Sequence, residues 1–273
     1  MTAWINGRRG ARVDHADRGL QYGDGVFETM RVRRGRVRFL EYHLERLYAG
    51  CRVLKIASPA RKSLQPELER IARRRSEGVL KLILTRGSGP RGYRPTGRER
   101  STRIITLHAL PISPSSSGRE AVRIRLCATP IGLNPALAGL KTLNRLESVL
   151  ARSEWRDAGI WEGLLLDAEK NVVCGTMSNL FLRQGSILAT PKLDRCGVSG
   201  VMRRWILETA GDLGLRAIER RLRWQDLRDA EEVFMSNAVV GLRSVSMIEH
   251  GTERVRHAAF DSADRFRQRL EAL

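Results

Sequence analysis

Apolar residues recur along the chain with two different periods, and each period predicts one type of element. Between 40 and 54 they fall three or four residues apart, as on one face of an α-helix, at Leu40, Leu44, Leu47, Cys51 and Leu54. A similar spacing predicts a helix over 64–74. Short alternating or continuous apolar runs predict strands at 26–32, 79–84 and 104–107, and Gly35 marks a hairpin turn after the first of them.

The C-terminal part of the chain mixes both periods. Strands are expected at 122–128, 163–166, 179–182 and 233–236. Helices are expected at 143–155, 201–210 and 258–273. Because strands and helices do not alternate regularly, the pattern predicts an α+β fold.

The segment 111–118 is the best candidate for a linker. Its sequence, PISPSSSG, combines prolines with small polar residues, which resist both helix and ladder formation. We therefore predict an N-terminal domain at 1–113 and a C-terminal domain at 119–273. The 273 residues, 42% of them hydrophobic, are enough to fill the cores of two moderate domains.

Composition bears on the location of the protein, on the state of its cysteines and on metal binding. The N-terminus has no apolar signal region and no run of eighteen apolar residues occurs, so we expect a cytoplasmic protein without a membrane span. The four cysteines are dispersed, without CxxC spacing, at Cys51, Cys127, Cys174 and Cys196. The five histidines form no metal-binding pair. Reduced thiols and no metal are expected.

The formal net charge of +19 raises the hypothesis of nucleic-acid binding, because a basic surface attracts phosphate. The arginines are spread along the whole length, however, and aromatic residues make up only 5% of the chain without interleaving with them. The charge therefore does not favour nucleic acid as the main partner.

Lysine is rare in this basic chain, with six lysines among 49 basic residues. One of them, Lys141, stands between a Gly/Pro-rich loop and an apolar run, in NPALAGLKTLNRLE at 134–147. An amine can form an imine with an aldehyde, whereas a guanidinium cannot. The alternative is an ordinary loop lysine whose charge reaches solvent.

Five ordered segments together carry a family resemblance. They are DRGLQYGDGVFET at 17–29, HLERL at 43–47, the segment around Lys141, SNLF at 178–181 and DRCGVSGVMR at 194–203. The chain resembles the class IV (fold type IV) pyridoxal phosphate enzymes, which include branched-chain and D-amino acid aminotransferases and aminodeoxychorismate lyases. The resemblance implies a two-domain homodimer. Each chain would have a smaller N-terminal α/β sandwich and a larger C-terminal pseudo-barrel, with the active site near the domain and subunit interfaces.

The resemblance also implies a pyridoxal phosphate site. Lys141 matches the lysine whose amine binds the cofactor aldehyde, and Arg46 matches the phosphate-binding arginine. Val198 and Ser199 would bind the phosphate through amides or the hydroxyl, in a turn that enters a helix. Asn237 and Ala238 would supply a second amide contact. The alternatives are an ordinary helix cap in this turn and, for Arg46, a surface pair with Glu41 or Glu45.

At the ring nitrogen the chain departs from the family, because Cys174 stands where these enzymes usually carry a glutamate. A carboxylate there keeps the ring protonated and strengthens it as an electron sink. A thiol is a weaker partner, although a thiolate would do part of the work, as would a nearby carboxylate such as Asp167 or Glu169. The cysteine therefore favours elimination over transamination, or indicates a weakened enzyme.

The loop RGSGPRGY at 86–93 is similar to the matching loop of aminodeoxychorismate lyases. Its cations and phenol suit a substrate with two carboxylates, and the candidate substrate residues are Tyr22, Thr29, Arg91, Tyr93 and Arg103. The plain alternative is a polar loop between strands.

The resemblance implies PLP-dependent release of pyruvate from 4-amino-4-deoxychorismate, giving p-aminobenzoate for folate synthesis. The alternatives are a class IV aminotransferase acting on D- or branched-chain amino acids and a catalytically weakened basic binding protein.

Overall fold

The computed structural model describes residues 2–10, 12–110 and 121–273. The chain forms two compact units, one of Met1–Ile112 with Leu140–Asn144 and the other of Ser113–Gly139 with Arg145–Leu273. The first unit thus includes Lys141, although the sequence around this residue belongs to the second. The candidate linker 111–118 lies outside the described residues, and the domain boundaries 1–113 and 119–273 stay a prediction.

The first unit contains a six-stranded antiparallel sheet. Its strands are β1 (Thr2–Ile5), β2 (Arg8–Arg9), β3 (Gly25–Arg33), β4 (Arg36–Val37), β5 (Glu77–Thr85) and β6 (Thr102–His108). They are ordered β2-β1-β6-β5-β3-β4. The helices of this unit are α1 (Arg18–Tyr22), α2 (Leu40–Leu54) and α3 (Arg61–Ala72). The predicted helix at 40–54 is confirmed, and the one predicted at 64–74 is present but begins and ends earlier.

Alternation along β3 assigns its side chains to two faces. Val26, Met30 and Val32 are buried and share a core with the apolar stripe of α2. Burying each large apolar side chain stabilises the fold by about 1.5–3 kcal/mol. Glu28 lies on the same buried face of β3 and is only 1% exposed, so this face carries a charged side chain within the core. The residues between them, Phe27 among them, lie on the opposite face.

The second unit is built on a nine-stranded mixed sheet. Its strands are β7 (Val122–Leu126), β8 (Ile160–Leu166), β9 (Val172–Gly175), β10 (Asn179–Gln184), β11 (Ile187–Pro191), β12 (Arg216–Arg220), β13 (Glu232–Asn237), β14 (Gly241–His250) and β15 (Glu253–Arg256). Eight of them are ordered β12-β11-β10-β13-β14-β7-β8-β9, and β15 pairs with β14. Residues of β9 also contact β10, so the sheet curls into a half-barrel, as the predicted fold class requires.

The described residues of this unit form four α-helices, namely α4 (Leu146–Arg152), α5 (Val201–Thr209), α6 (Trp224–Asp229) and α7 (Asp261–Glu271). The helix predicted at 143–155 begins only at Leu146. The reason lies in the first unit, where the Phe27 amide donates to the Lys141 carbonyl and the Leu143 amide donates to the Gly25 carbonyl. These backbone bonds hold the segment extended beside β3. Within the described residues, no helix is long and apolar enough to cross a membrane.

Candidate active site

Lys141 lies on the extended segment beside the start of β3. Its carbonyl accepts the Phe27 amide at 3.0 Å, and Thr142 forms a bridge with Val26. The Nζ atom lies 4.4 Å from the centroid of the Phe27 ring, and the side chain is half-buried. The backbone pairing therefore holds this amine in a defined place against an aromatic face.

A second lysine shares the same ring. Lys81 lies on β5 opposite Thr29, and its Nζ lies 5.5 Å from the Phe27 centroid. Phe27, Thr29 and Lys81 occupy one face of the sheet, because residues two apart on a strand and directly paired residues point the same way. The structure therefore places Thr29 on the sheet face that carries Phe27, with the amines of Lys141 and Lys81 near that ring. The sequence analysis did not single out Lys81.

Arg46 lies on α2, on the other face of this sheet, and its partner is Glu28. Its Nε donates to Glu28 Oε1 at 2.8 Å and its Nη2 donates to Oε2 at 2.5 Å. The Nδ1 atom of His43 lies 2.6 Å from Glu28 Oε2. Of the two surface acids considered from the sequence, Glu41 pairs with Arg61. Glu28 holds the guanidinium bidentately, so its plane is fixed.

Charges in this cluster are well defined. Burial would raise the pKa of Glu28, but the Arg46 guanidinium and His43 outweigh it and lower the pKa to about 2. Burial lowers the pKa of His43, against the opposing effect of Glu28, so this histidine is neutral at pH 7. His43 Nε2 is buried without a hydrogen-bond partner among the described residues. The cluster thus combines one carboxylate, one guanidinium and one neutral imidazole.

Tyr22, Arg91 and Tyr93 meet around one loop. The Gly92 amide donates to the Tyr22 hydroxyl at 3.1 Å, and the Tyr22 and Tyr93 rings are 5.4 Å apart in a T-shaped contact. Arg91 and Tyr93 are exposed. Their side chains are thus open to a ligand.

Arg103 is not brought together with these residues. It pairs with Leu84, whose side chain is buried on the helix-covered face of the sheet. Its Nε lies 2.8 Å from Glu67 Oε2 on α3. This ion pair gives Arg103 a place in the packing of α3 on the face opposite to Thr29 and Lys81.

In the second unit, the turn before α5 is tied down by its backbone. The Ser199 amide donates to the Gly139 carbonyl at 3.0 Å, and Asn179 Nδ2 donates to the Val198 carbonyl at 2.9 Å. The Ser199 amide is therefore engaged within the protein. A Cβ added at Gly200, the residue that precedes α5, would lie 2.0 Å from Asn179 Oδ1, so a larger residue there would displace the Asn179 side chain.

The beginning of α5 offers further donors. The amides of the first turn of an α-helix have no partner within the helix, and the helix dipole favours an anion at that end. In this nine-residue helix the first turn starts at Val201. These amides directly follow Val198 and Ser199, which the sequence predicts to bind the phosphate.

Asn237 and Ala238 follow the end of β13. Asn237 Nδ2 donates to the Met177 carbonyl at 2.6 Å, and its Oδ1 accepts the Val239 amide at 2.8 Å. Ala238 is half-buried. The asparagine side chain thus joins the β13 end to the turn that precedes Asn179.

Cys174 lies on β9 opposite Leu165 and is 7% exposed. Burial raises the pKa of its thiol to about 12, with further contributions from Cys196 and Glu162 that exceed the opposing effect of Arg145. The side chain is therefore a neutral thiol at pH 7, and a thiolate is not available for the role considered from the sequence.

The two carboxylates that the sequence suggested as replacements for Cys174 are engaged with other partners. Glu169 is paired with Arg195 at 2.6 Å, and Asp167 accepts bonds from Asn171 and the Glu169 amide within a hairpin. Glu162, which sequence reasoning missed, is fully buried and accepts the hydroxyls of Thr176 at 2.5 Å and Ser178 at 2.7 Å. These three carboxylates are used for structure.

Two further residues were missed by sequence reasoning, namely Glu28 and Arg18. Glu28 alternates with Val26 and Met30 on a strand, and a charged residue in such a buried series is the signal that could have identified it. Arg18 is buried and donates to two carbonyls of the loop 86–93. Its sequence context carries no comparable signal.

The chain is similar to known proteins over most of its length. The family model of amino-transferase class IV matches residues 25–248. An aminodeoxychorismate lyase of Vibrio harveyi is 35% identical over 246 residues, covering 90% of both chains. A putative branched-chain-amino-acid aminotransferase of Methanocaldococcus jannaschii is 32% identical over 259 residues, 91% of this chain and 88% of the other.

Among solved structures, the 4-amino-4-deoxychorismate lyase of Pseudomonas aeruginosa superimposes with a TM-score of 0.92 and 42% identity. The match covers 99% of this chain and 98% of that one. The chain therefore belongs to the class IV aminotransferase family.

Proposed function

We propose that the protein is an aminodeoxychorismate lyase, which uses pyridoxal phosphate to release pyruvate from 4-amino-4-deoxychorismate and leaves p-aminobenzoate. The observation that carries this proposal is the 42% identity across 99% of the chain with the Pseudomonas aeruginosa lyase. The loop at 86–93 supports it, because its cations suit a substrate with two carboxylates.

The described residues fit the cofactor. Lys141 offers an amine held at an aromatic face, and Glu28 orients the Arg46 guanidinium for a phosphate. At the start of α5 the first-turn amides, which directly follow Val198 and Ser199, would bind the phosphate. We assign the second phosphate contact to Asn237 and Ala238. When bound, pyridoxal phosphate supplies an aldehyde for the amine and an electron-withdrawing ring.

Lys141 would also move protons. Its amine would take the proton from the carbon that bears the substrate amino group. Departure of the enolpyruvyl oxygen then aromatises the substrate ring, which supplies much of the driving force. A proton returned to the leaving group completes pyruvate, so Lys141 serves as base and then as acid.

Substrate carboxylates would be bound by cations on the Phe27 face and in the loop. We assign Arg91 and Tyr93 to this role, with Tyr22 and Thr29 lining the pocket. Lys81 joins them, because its Nζ is close to the same aromatic ring as Lys141 and no acidic side chain among the described residues pairs with it. We do not extend the assignment to Arg103, because Glu67 already binds it.

Cys174 favours elimination over transamination. A neutral thiol at the ring nitrogen cannot hold a proton there as a carboxylate does, so the ring is a weaker electron sink. Expulsion of a good leaving group depends less on that sink than amino-group exchange does. The raised pKa of Cys174 therefore supports a lyase.

A class IV aminotransferase is the second candidate, and the 32% identity with the Methanocaldococcus jannaschii protein favours it. The two functions give different products. A lyase forms pyruvate from 4-amino-4-deoxychorismate without a second substrate, whereas an aminotransferase requires a keto acid as amino-group acceptor.

We further propose a cytoplasmic homodimer. Three apolar side chains of α4 lie three and four residues apart on one helix face and are 60–76% exposed, namely Leu146, Val149 and Leu150. A contiguous apolar face of this kind is typical of an interface. Light scattering should give twice the chain mass, and Leu150→Glu should shift it toward the monomer.

The test of the function is direct. Purified protein supplied with pyridoxal phosphate and 4-amino-4-deoxychorismate should release pyruvate and p-aminobenzoate in equal amounts, and Lys141→Ala should abolish both products. Absence of pyruvate, together with keto-acid-dependent amino-group exchange, would assign the aminotransferase function instead. A colourless protein that binds nucleic acid in a salt-sensitive way would favour the basic binding protein.

A further inference from the structure

Arg18 is a buried cation that the proposed chemistry does not use. It is 2% exposed, and its guanidinium makes three hydrogen bonds. Nη1 donates to the Gly92 carbonyl and Nη2 donates to the Tyr93 carbonyl, both at 2.8 Å, while Nε donates to Asp24 at 3.0 Å. Two of the three acceptors belong to the loop 86–93.

The same loop is attached at two further points. The Gly92 amide donates to the Tyr22 hydroxyl, and the Arg18 guanidinium carbon lies 4.8 Å from the centroid of the Tyr22 ring. At the start of the loop, the Arg18 amide donates to the Gly87 carbonyl at 2.9 Å. Backbone and side chain of Arg18 therefore bind both ends of this loop.

Asp24 keeps Arg18 in orientation. It also accepts two hydrogen bonds from Arg86, at 2.7 and 3.0 Å, and Arg86 in turn donates to the carbonyls of Leu54 and Lys55 at the end of α2. Although burial opposes it, the Arg86 and Arg18 guanidinium groups lower the pKa of Asp24. The acid is therefore charged at pH 7, and one carboxylate joins the loop to the helix.

We propose that Arg18 is a positioning residue, which fixes the backbone of Gly92 and Tyr93 so that the exposed side chains of Arg91 and Tyr93 are held ready for a substrate carboxylate. This inference rests on the proposed function. Arg18 acts through the loop and does not touch substrate, because Asp24 and the two carbonyls already occupy the edges of its guanidinium.

The geometry requires arginine. A planar guanidinium presents donors in a fixed fork, which spans two successive carbonyls and a carboxylate. A lysine ammonium at the same place has one nitrogen and cannot reach all three acceptors. Arg18→Lys keeps the charge and removes the fork, so it separates loop placement from electrostatics.

The experiment uses the full chain loaded with cofactor. For Arg18→Lys we expect the KM for 4-amino-4-deoxychorismate to rise about tenfold or more with kcat changed less than about threefold. Hydrogen exchange of the Gly92 amide, which donates to the Tyr22 hydroxyl, should become about tenfold faster. Tyr22→Phe, which removes one attachment at a partly exposed site, should show the same two changes to a smaller degree. The matched control is Arg94→Lys, an exposed cation of the neighbouring segment, which should change neither quantity.

A double substitution decides whether Arg18 works through Arg91. If it does, Arg18→Lys combined with Arg91→Lys should raise KM little more than Arg91→Lys alone. Additive effects of the two substitutions on KM would overturn the inference. An unchanged KM in Arg18→Lys, or a raised KM with unchanged exchange at the Gly92 amide, would overturn it as well. If the unmodified protein forms no pyruvate, the proposed function is wrong. The exchange measurement is independent of that result, since unchanged exchange in Arg18→Lys would show that Arg18 does not hold the loop. If Arg18→Lys does not fold, Asp24→Asn, which weakens the hold on the Arg18 guanidinium, carries the same test.

Discussion

The buried carboxylate of Glu28 offers a quantitative test of how the Arg46 guanidinium is held. Glu28→Gln keeps the size and one oxygen but removes the charge, much as protonation would. Holding the pKa of Glu28 at about 2 instead of 4.5 corresponds to about 3 kcal/mol, at ~1.4 kcal/mol for each pH unit. Removing one partner of a buried ion pair costs about 3–5 kcal/mol. We therefore expect Glu28→Gln to lose about 3 kcal/mol of unfolding free energy at pH 7.

The stability that Glu28→Gln loses should depend on pH, in a direction set by the lowered pKa of Glu28. Because folding lowers the pKa of Glu28, its contribution is complete above the ordinary pKa of 4.5 and is lost as the pH falls toward 2. The difference between the unmodified protein and Glu28→Gln should therefore shrink below pH 4.5. Urea unfolding at pH 7 and at lower pH, followed by circular dichroism, measures both quantities.

Glu41→Gln is the matched control, because Glu41 forms an exposed pair with Arg61 and should cost less than about 1 kcal/mol. A loss below about 1 kcal/mol for Glu28→Gln at pH 7 would refute the reasoning, because the charge would then not be what holds Arg46 and His43. A difference that stays constant from pH 7 into the acid range would refute it as well.

Three further substitutions test other parts of the site. Gly200→Ala places a Cβ 2.0 Å from Asn179 Oδ1 and should raise the dissociation constant of the cofactor about tenfold. The control is Gly211→Ala, whose Cβ would meet no atom within 4 Å and should leave this constant unchanged. Cys174→Glu should increase keto-acid-dependent amino-group exchange relative to pyruvate release, and Cys174→Gln, without a charge, should not. Lys81→Met should raise the KM for 4-amino-4-deoxychorismate about tenfold, while exposed Lys62→Met should not; an unchanged KM in Lys81→Met would remove Lys81 from the substrate site.

Much of the fold follows from local patterns. The helix at Leu40–Leu54 is predictable because its apolar stripe is long and regular. The ten-residue strand Gly241–His250 is not, because polar residues interrupt its apolar positions and the neighbouring strands supply its pairing. The late start of the helix at Leu146 has the same origin, since residues 141–143 pair with a strand more than a hundred positions earlier.

The residues of the candidate site also fall into two groups, those that the sequence motifs predict and those that they miss. Motif spacing makes Lys141 and Arg46 candidates, because both lie in segments that resemble the family. It does not identify Glu28 or Lys81, whose positions matter only once β3 pairs with β5 and α2 packs on the sheet. The ion pair of Arg103 with Glu67 is likewise invisible in the sequence, because it depends on which face of β6 meets α3. Partners distant in sequence therefore account for most of what the motifs missed.

The central claim is that Lys141 is the amine that binds pyridoxal phosphate. Borohydride reduction of the loaded protein, followed by peptide mapping, should place the cofactor on the peptide that contains Lys141, and Lys141→Ala should carry no label. Lys81 is the informative competitor, because its amine lies near the same Phe27 ring. A label on Lys81, on any of the other four lysines, or on none of the six would contradict the account.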